Sequence, residues 1–180
     1  DDSVDEAADP GSAAASVARW RREVDLLRAG TPEQPVTRTL LPHVRRFNIP
    51  TDYFEELVSG VEMDLTHDRY GSFRDLEAYC YRVASVVGLI CLRIFGDSEE
   101  RGRAYAENLG IALQLTNILR DVGSDHARGR IYLPEDERVQ FGYSEAALSR
   151  KERSGAFIDL MRFQAARARA FFASADRERA

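Results

Sequence analysis

Cysteine is scarce in this chain. Two cysteines in 180 residues, Cys80 and Cys91, lie on one apolar stretch. They make no disulfide framework, so a reducing compartment is expected. Glycine numbers 12 and proline 6, too few for a collagen-like or linker sequence. Lysine is nearly absent: Lys151 is the single one among 25 basic residues, which reads as a bias toward arginine codons. Long hydrophobic runs are missing too. The longest, Val83 to Leu92, is about half of what a spanning helix requires. Arg82 and Arg93 bracket it, and it reads as a buried core helix. No basic start followed by an apolar stretch is present, so no signal peptide is visible. The chain opens on Asp1-Asp2-Ser3-Val4-Asp5-Glu6 without Met, and is expected to be a fragment cut at both ends.

What is there suits one globular unit. Apolar residues make up 44%, which excludes a disordered chain. A net charge of −5 argues against nucleic acid as a partner. The periodicity is helical nearly throughout. Val17, Trp20, Val24 and Leu27 recur at spacings of three and four, with Ser12 as a candidate cap. Gly30-Thr31-Pro32 stops that helix. Further helices are expected over Thr37–Phe47, from a Thr51 cap to about Leu65, over Ser72–Phe95, over Glu99 to about Val122, and over Ala156–Ala175. Gly123 to Ser154 reads as a long loop with a short helix after Ser144. No strand-period segment appears, and the fold class expected is all-α.

The segment Gly110 to Asp125 carries the chemistry. At about 100° per residue, Gly110, Gln114, Asn117, Asp121 and Asp125 fall within roughly 60–80° of arc. The rest of the segment is apolar almost all round, which predicts a buried helix whose polar row needs a cation, water or arginine to satisfy it. Asp121 and Asp125 are one turn apart and Asn117 one turn earlier, a set of hard oxygens suited to Mg²⁺. Asp1 and Asp5 repeat the spacing, with Asp2 and Glu6 beside them. Taken alone, they read as a solvated acidic end. Together the two clusters suit several divalent ions around a diphosphate. Arg120, Arg128 and Arg130 fit the same guest, because guanidinium groups bind phosphate oxygens in pairs. In Tyr79 to Gly88, small residues such as Ala84, Ser85 and Gly88 allow close helix packing or leave room for a long apolar substrate. Tyr79 can donate to a diphosphate or lend its ring to a cation.

These segments, DDSVD, YCYRVASVVG and LGIALQLTNILRDVGSDHARGRIYLP, resemble the squalene/phytoene synthase family over roughly residues 1–142. The resemblance implies a helical isoprenoid-synthase bundle, here one partial domain over residues 1–180, truncated at both ends. It implies a prenyltransferase that joins two prenyl diphosphates head to head. Asp1 and Asp5 match the first aspartate-rich motif, and Asn117, Asp121 and Asp125 the second. Both motifs imply Mg²⁺, with Mn²⁺ as the alternative ion. Tyr79 matches the active-site tyrosine, Gln114 a polar residue lining the site, and Arg120, Arg130 and Tyr132 positions near the diphosphate. These five form the catalytic set. Tyr81, Val83, Ala84, Val87, Gly88, Gly110 and Leu113 form the substrate-lining set.

Within the family, Tyr81 to Ser85 and Leu92 to Gly96 look most like bacterial presqualene diphosphate synthases, which use farnesyl diphosphate. Phytoene synthase, with geranylgeranyl diphosphate, stands second. NADPH use stays open, since no dinucleotide fingerprint is present. The expected location is cytoplasmic, with peripheral membrane contact at a lipid product, and the oligomeric state is not legible. Rivals from other classes are an all-α Mg²⁺-dependent nucleotide pyrophosphatase and a non-catalytic helical module. His43, His67 and His126 lack zinc-ligand spacing.

Overall fold

The computed structural model describes residues 10–96 and 100–179. Asp1 and Asp5, with Asp2 and Glu6, lie outside the described residues. The described chain is helical: α1 Pro10–Ala29, α2 Pro35–Arg46, α3 Asp52–Thr66, α4 Phe73–Cys80, a π turn Tyr81–Ser85, α5 Val86–Phe95, α6 Glu100–Ala127, α7 Glu135–Gln140, α8 Glu145–Ser149 and α9 Gly155–Arg179. Among the described residues there is no strand, only an isolated parallel bridge between Arg69 and Ile131.

Helix α6 is the axis of the arrangement. It packs lengthwise on α9 and crosses the π turn, α5 and α4. One core cluster joins Tyr70, Leu76, Tyr79 and Cys80 to Ile111, Leu115 and Ile118 of α6, with Tyr132 and Ala168. A second lies under the far end of α6, where Ile131, Leu133, Tyr143, Leu148 and Leu160 meet. A third, around Leu27, Val44 and Ile49, fastens α1 to α2. Buried Glu23 helps there: its carboxylate accepts from the backbone N–H groups of Glu33 and Gln34, both at 2.8 Å. The Gln34 N–H, at the N-cap, is a donor that the start of α2 leaves without a helical partner.

Several boundaries differ from the sequence reading, each for a local reason. Ser12 lies inside α1 rather than at its cap. Thr51 does not cap α3 with its side chain; its backbone is helical, and its hydroxyl accepts from Arg28 Nε at 3.2 Å. The expected helix from Ser72 to Phe95 does form, opened by a reciprocal box in which Ser72 and Asp75 cap each other. A π turn interrupts it at Tyr81–Ser85, and the Val86 N–H donates to the Tyr81 carbonyl.

Helix α6 does not stop near Val122. It runs through Gly123 and Ser124 to Ala127, because one helical glycine costs only about 1 kcal/mol and the flanking turns are packed. The stop lies further on, where Gly129 adopts φ +84°. There the Gly129 N–H donates to the His126 carbonyl at 2.9 Å and the Arg130 N–H to the Asp125 carbonyl at 2.9 Å. This is the doubly bonded glycine terminator of helices. Residues expected to be loop also hold α7, while the short helix expected after Ser144 forms as α8, which Ser144 caps by accepting from the Ala147 N–H at 3.1 Å.

Candidate active site

Three tyrosines converge on one carboxylate. Tyr79 comes from α4, Tyr132 from the strap that follows α6, and Asp64 from α3. The Tyr79 hydroxyl donates to Asp64 Oδ2 at 3.2 Å and the Tyr132 hydroxyl to Oδ1 at 2.9 Å. The two rings stack at 5.3 Å, and each lies 5.6 Å from the ring of Tyr70. Tyr70 is buried, and its hydroxyl has no hydrogen-bond partner among the described residues. Burial, with the Asp64 charge next in weight, holds all three phenols well above the usual tyrosine range. All three therefore stay protonated, and Tyr79 and Tyr132 act as donors to Asp64.

The polar row of α6 borders this cluster. Around the helix, Ile111, Leu115 and Ile118 face the tyrosines, and the row begins about one residue's rotation away. The row is not buried as the sequence predicts. Gln114, Asp121 and Asp125 are half-buried, and Asn117 is exposed beside exposed Leu113 and Thr116. The helix is apolar on most faces, but α4, α5, the π turn and α9 cover only some of them, and the Leu113–Asn117 side stays open among the described residues.

The two carboxylates of the row differ in environment. Arg120 forks Asp121, with Nε at 2.9 Å and Nη2 at 2.5 Å, and holds its carboxyl below the usual range. Burial, with Asp121 as the next cause, pushes Asp125 above it, and Arg128 and Arg130 only partly offset this. Asp125 also lines a small crevice with Ile118, Val122, Arg130, Ile131, Tyr132 and Leu133. The strap thus brings Arg130 and Tyr132 to the end of the polar row.

The residues expected to line a substrate are divided among different settings. Gly110 stands at the closest helix crossing: a methyl group there would meet Ser85 Cα at 2.4 Å. Gly88 faces Ala106, whose carbonyl oxygen would lie 3.2 Å from an added methyl group. Both glycines are occupied by packing. Val87 and Leu113 are exposed, at 45% and 49% of their surface. Tyr81, Val83 and Ala84 are half-buried in the π turn, and Val83 packs against the tyrosine cluster.

Sequence reasoning missed Asp64 and Tyr70. A signal for Asp64 was present: Met63-Asp64-Leu65 places one carboxylate in an apolar stretch of a helix, where it needs a partner. No three His, Cys, Asp or Glu side chains cluster as a metal site among the described residues.

The chain matches the squalene/phytoene synthase family over residues 1–180. It is 41% identical over 170 residues to a phytoene synthase of Arthrospira platensis, covering 87% of this chain and 55% of that protein. It is also 41% identical over 175 residues to a 15-cis-phytoene synthase of Synechococcus elongatus, covering 91% and 57%. The chain therefore spans little more than half the length of these curated relatives. The crystal structure of squalene synthase HpnC from Alicyclobacillus acidocaldarius aligns with a TM-score of 0.88 at 28% identity, covering 96% of this chain and 64% of that one. A dehydrosqualene synthase crystallised with a ligand aligns at 0.81 with 33% identity, covering 89% and 57%. With a match along its whole length and a fold shared with these synthases, this chain belongs to the squalene/phytoene synthase family of prenyltransferases.

Proposed function

We propose that the protein carrying this chain joins two farnesyl diphosphates head to head to give presqualene diphosphate. One observation carries the reading: carboxylates, guanidinium groups and protonated phenols gather at one end of α6, beside an apolar wall. The arginines and the carboxylate row provide for a diphosphate, and the wall suits an isoprenoid tail.

The oxygens of Asn117, Asp121 and Asp125 fit Mg²⁺ by chemistry, and Mn²⁺ as the alternative. The Asp125 carboxyl, pushed up by burial and by Asp121, is a site whose like charges a cation would relieve. Mg²⁺, when bound, offsets the negative charge of a departing diphosphate. The chain's own residues do the rest. Arg120, largely exposed, exchanges Asp121 for a phosphate oxygen, and Arg130 approaches from the strap. Tyr79 and Tyr132, held by Asp64, present ring faces and hydroxyl groups to an allylic cation. Val83, Val87 and Leu113 keep the tail away from water. Asp1 and Asp5 are assigned to a second metal-binding cluster by their motif. The location proposed is cytoplasmic, with contact to a membrane surface where the lipid product leaves. One helical stretch, Phe73–Phe95, is long and apolar enough to span a bilayer by composition, yet Leu76, Tyr79, Cys80, Ser85, Val86 and Leu89 within it are buried in the protein.

A second reading has its own support: the 41% identical relatives are named phytoene synthases, which favours geranylgeranyl diphosphate. The test is to offer each diphosphate separately, with Mg²⁺, to the full-length protein and to identify products by mass spectrometry. A C30 cyclopropyl diphosphate, lost in Asp121→Ala, supports the first reading. A C40 product from the longer substrate alone moves the assignment to the second. No product from either, from folded and Mg²⁺-binding protein, overturns both.

A further inference from the structure

We propose that Arg69 is a positioning residue of this site, one that touches no substrate and sets where Arg130 and Tyr132 stand. The inference rests on the proposed role of Arg130 toward diphosphate.

The strap from Gly129 to Pro134 belongs to no helix, and it carries both residues. Part of what holds it is backbone. The Ile131 N–H donates to the Asp68 carbonyl at 2.9 Å, the Glu135 N–H to Tyr70 at 2.9 Å, and the Asp136 N–H to Gly71 at 3.2 Å. The segment 68–71 is therefore the edge against which the strap lies.

Arg69 closes this edge with its side chain. Its Nη1 donates to the Gly129 carbonyl at 2.6 Å and to the Asp68 carbonyl at 2.8 Å. Its Nε and Nη2 fork the Glu145 carboxylate at the start of α8, at 3.4 and 2.5 Å. One guanidinium thus joins three segments of chain. The peptide it grips is Gly129–Arg130, at the left-handed turn that ends α6.

Stability does not account for this arrangement. Both partners are part-exposed, with 32% of the Arg69 side chain and 47% of Glu145 in solvent, and such pairs add little to global stability. The contact instead fixes a direction. Arg130 reaches the site from the residue after the gripped carbonyl, and small misplacements of a binding group are costly in rate. Lysine cannot replace it, because an ammonium lacks the planar fork needed to serve a carboxylate and two carbonyls at once.

The experiment compares Arg69→Ala, Arg69→Lys, Arg130→Ala and the Arg69/Arg130 double alanine variant in the full-length protein. Two readouts are taken: KM and kcat for the prenyl diphosphate, and amide exchange over residues 128–133. Arg69→Ala is expected to lower kcat/KM about 10- to 100-fold, mostly through KM, and to speed exchange in 128–133 while α9 is unchanged. Arg69→Lys recovers little of either. The double variant is expected to lose clearly less than the product of the two single losses, since Arg69 acts in part through Arg130. Additive losses overturn the proposal, and so does unchanged exchange in 128–133. Should Arg69→Ala fail to fold, Glu145→Gln removes one arm of the clasp and must shift both readouts the same way. If the wild-type protein forms no condensation product, the proposed function falls and exchange alone decides the clasp.

Discussion

Tyr132 donates to Asp64 at 2.9 Å, and this bond ties the strap after α6 to the last turn of α3. Asp64 is the shared acceptor of two phenols, so its loss takes the carboxylate acceptor from both in a poorly solvated cluster. Asp64→Ala is expected to cost on the order of 2–4 kcal/mol in urea unfolding, the sum of about 1–3 kcal/mol per group that loses its acceptor with partial relief from water. Tyr79→Phe, which keeps the ring, should cost about 1 kcal/mol. A smaller loss in Asp64→Ala than in Tyr79→Phe would show that the carboxylate does not organise the cluster.

Two glycines of α6 make opposite predictions. An added methyl at Gly110 would meet the Ser85 backbone at 2.4 Å, whereas one at Gly123 meets nothing within 4 Å. Gly110→Ala should destabilise by about 1–3 kcal/mol through forced separation of two helices. Gly123→Ala should stabilise by about 0.5–1 kcal/mol, because alanine loses less freedom in a helix. Thermal unfolding of both variants checks the pair, and equal effects would refute the packing assignment.

Asp125 links stability to metal binding. Its carboxyl is raised above 3.8 by burial and by Asp121. An acid whose pKa is raised on folding costs the folded state stability. That cost is absent below the unfolded value and complete once pH exceeds the raised one. At neutral pH, Asp125→Asn should therefore be slightly more stable than wild type without metal. Added Mg²⁺ should raise the Tm of the wild type and not of the variant. A variant that is less stable without metal, or stabilised equally by Mg²⁺, would count against the assignment.

The Arg69–Glu145 pair predicts an acid dependence of the opposite sign. Glu145 lies below 4.5 because Arg69 donates to it. An acid lowered on folding stabilises above its unfolded pKa and loses that contribution as pH falls through the lowered value. The stability gap between wild type and Glu145→Gln should persist at neutral pH and close below 4.5. Salt should narrow the gap at neutral pH, since the pair is part-exposed.

The helices and the polar row of α6 were legible because each depends on spacing within one segment. Asn117, Asp121 and Asp125 share a face in any helix. Asp64 was not legible as a site residue, because its role depends on Tyr79 and Tyr132 arriving from elsewhere in the chain. The π turn was hidden for a different reason: Tyr81 to Ser85 has the same composition whether it winds as α or π, and only the close approach of Gly110 distinguishes them. The far end of α6 was misjudged because Gly123 looked like a stop, while the stop is Gly129.

The π turn couples winding to chain length between Tyr79 and Gly88. The extra residue in that turn rotates everything after it by about 100° relative to what precedes it. Tyr79 faces the carboxylate cluster and Gly88 faces Ala106 only while that offset is kept. A conservative replacement at Val83 or Ala84 perturbs one contact. Winding the same residues as plain α-helix would swing Gly88 and Leu89 off their partners together, whereas removing one residue would let the turn close as α-helix with both flanks kept in place.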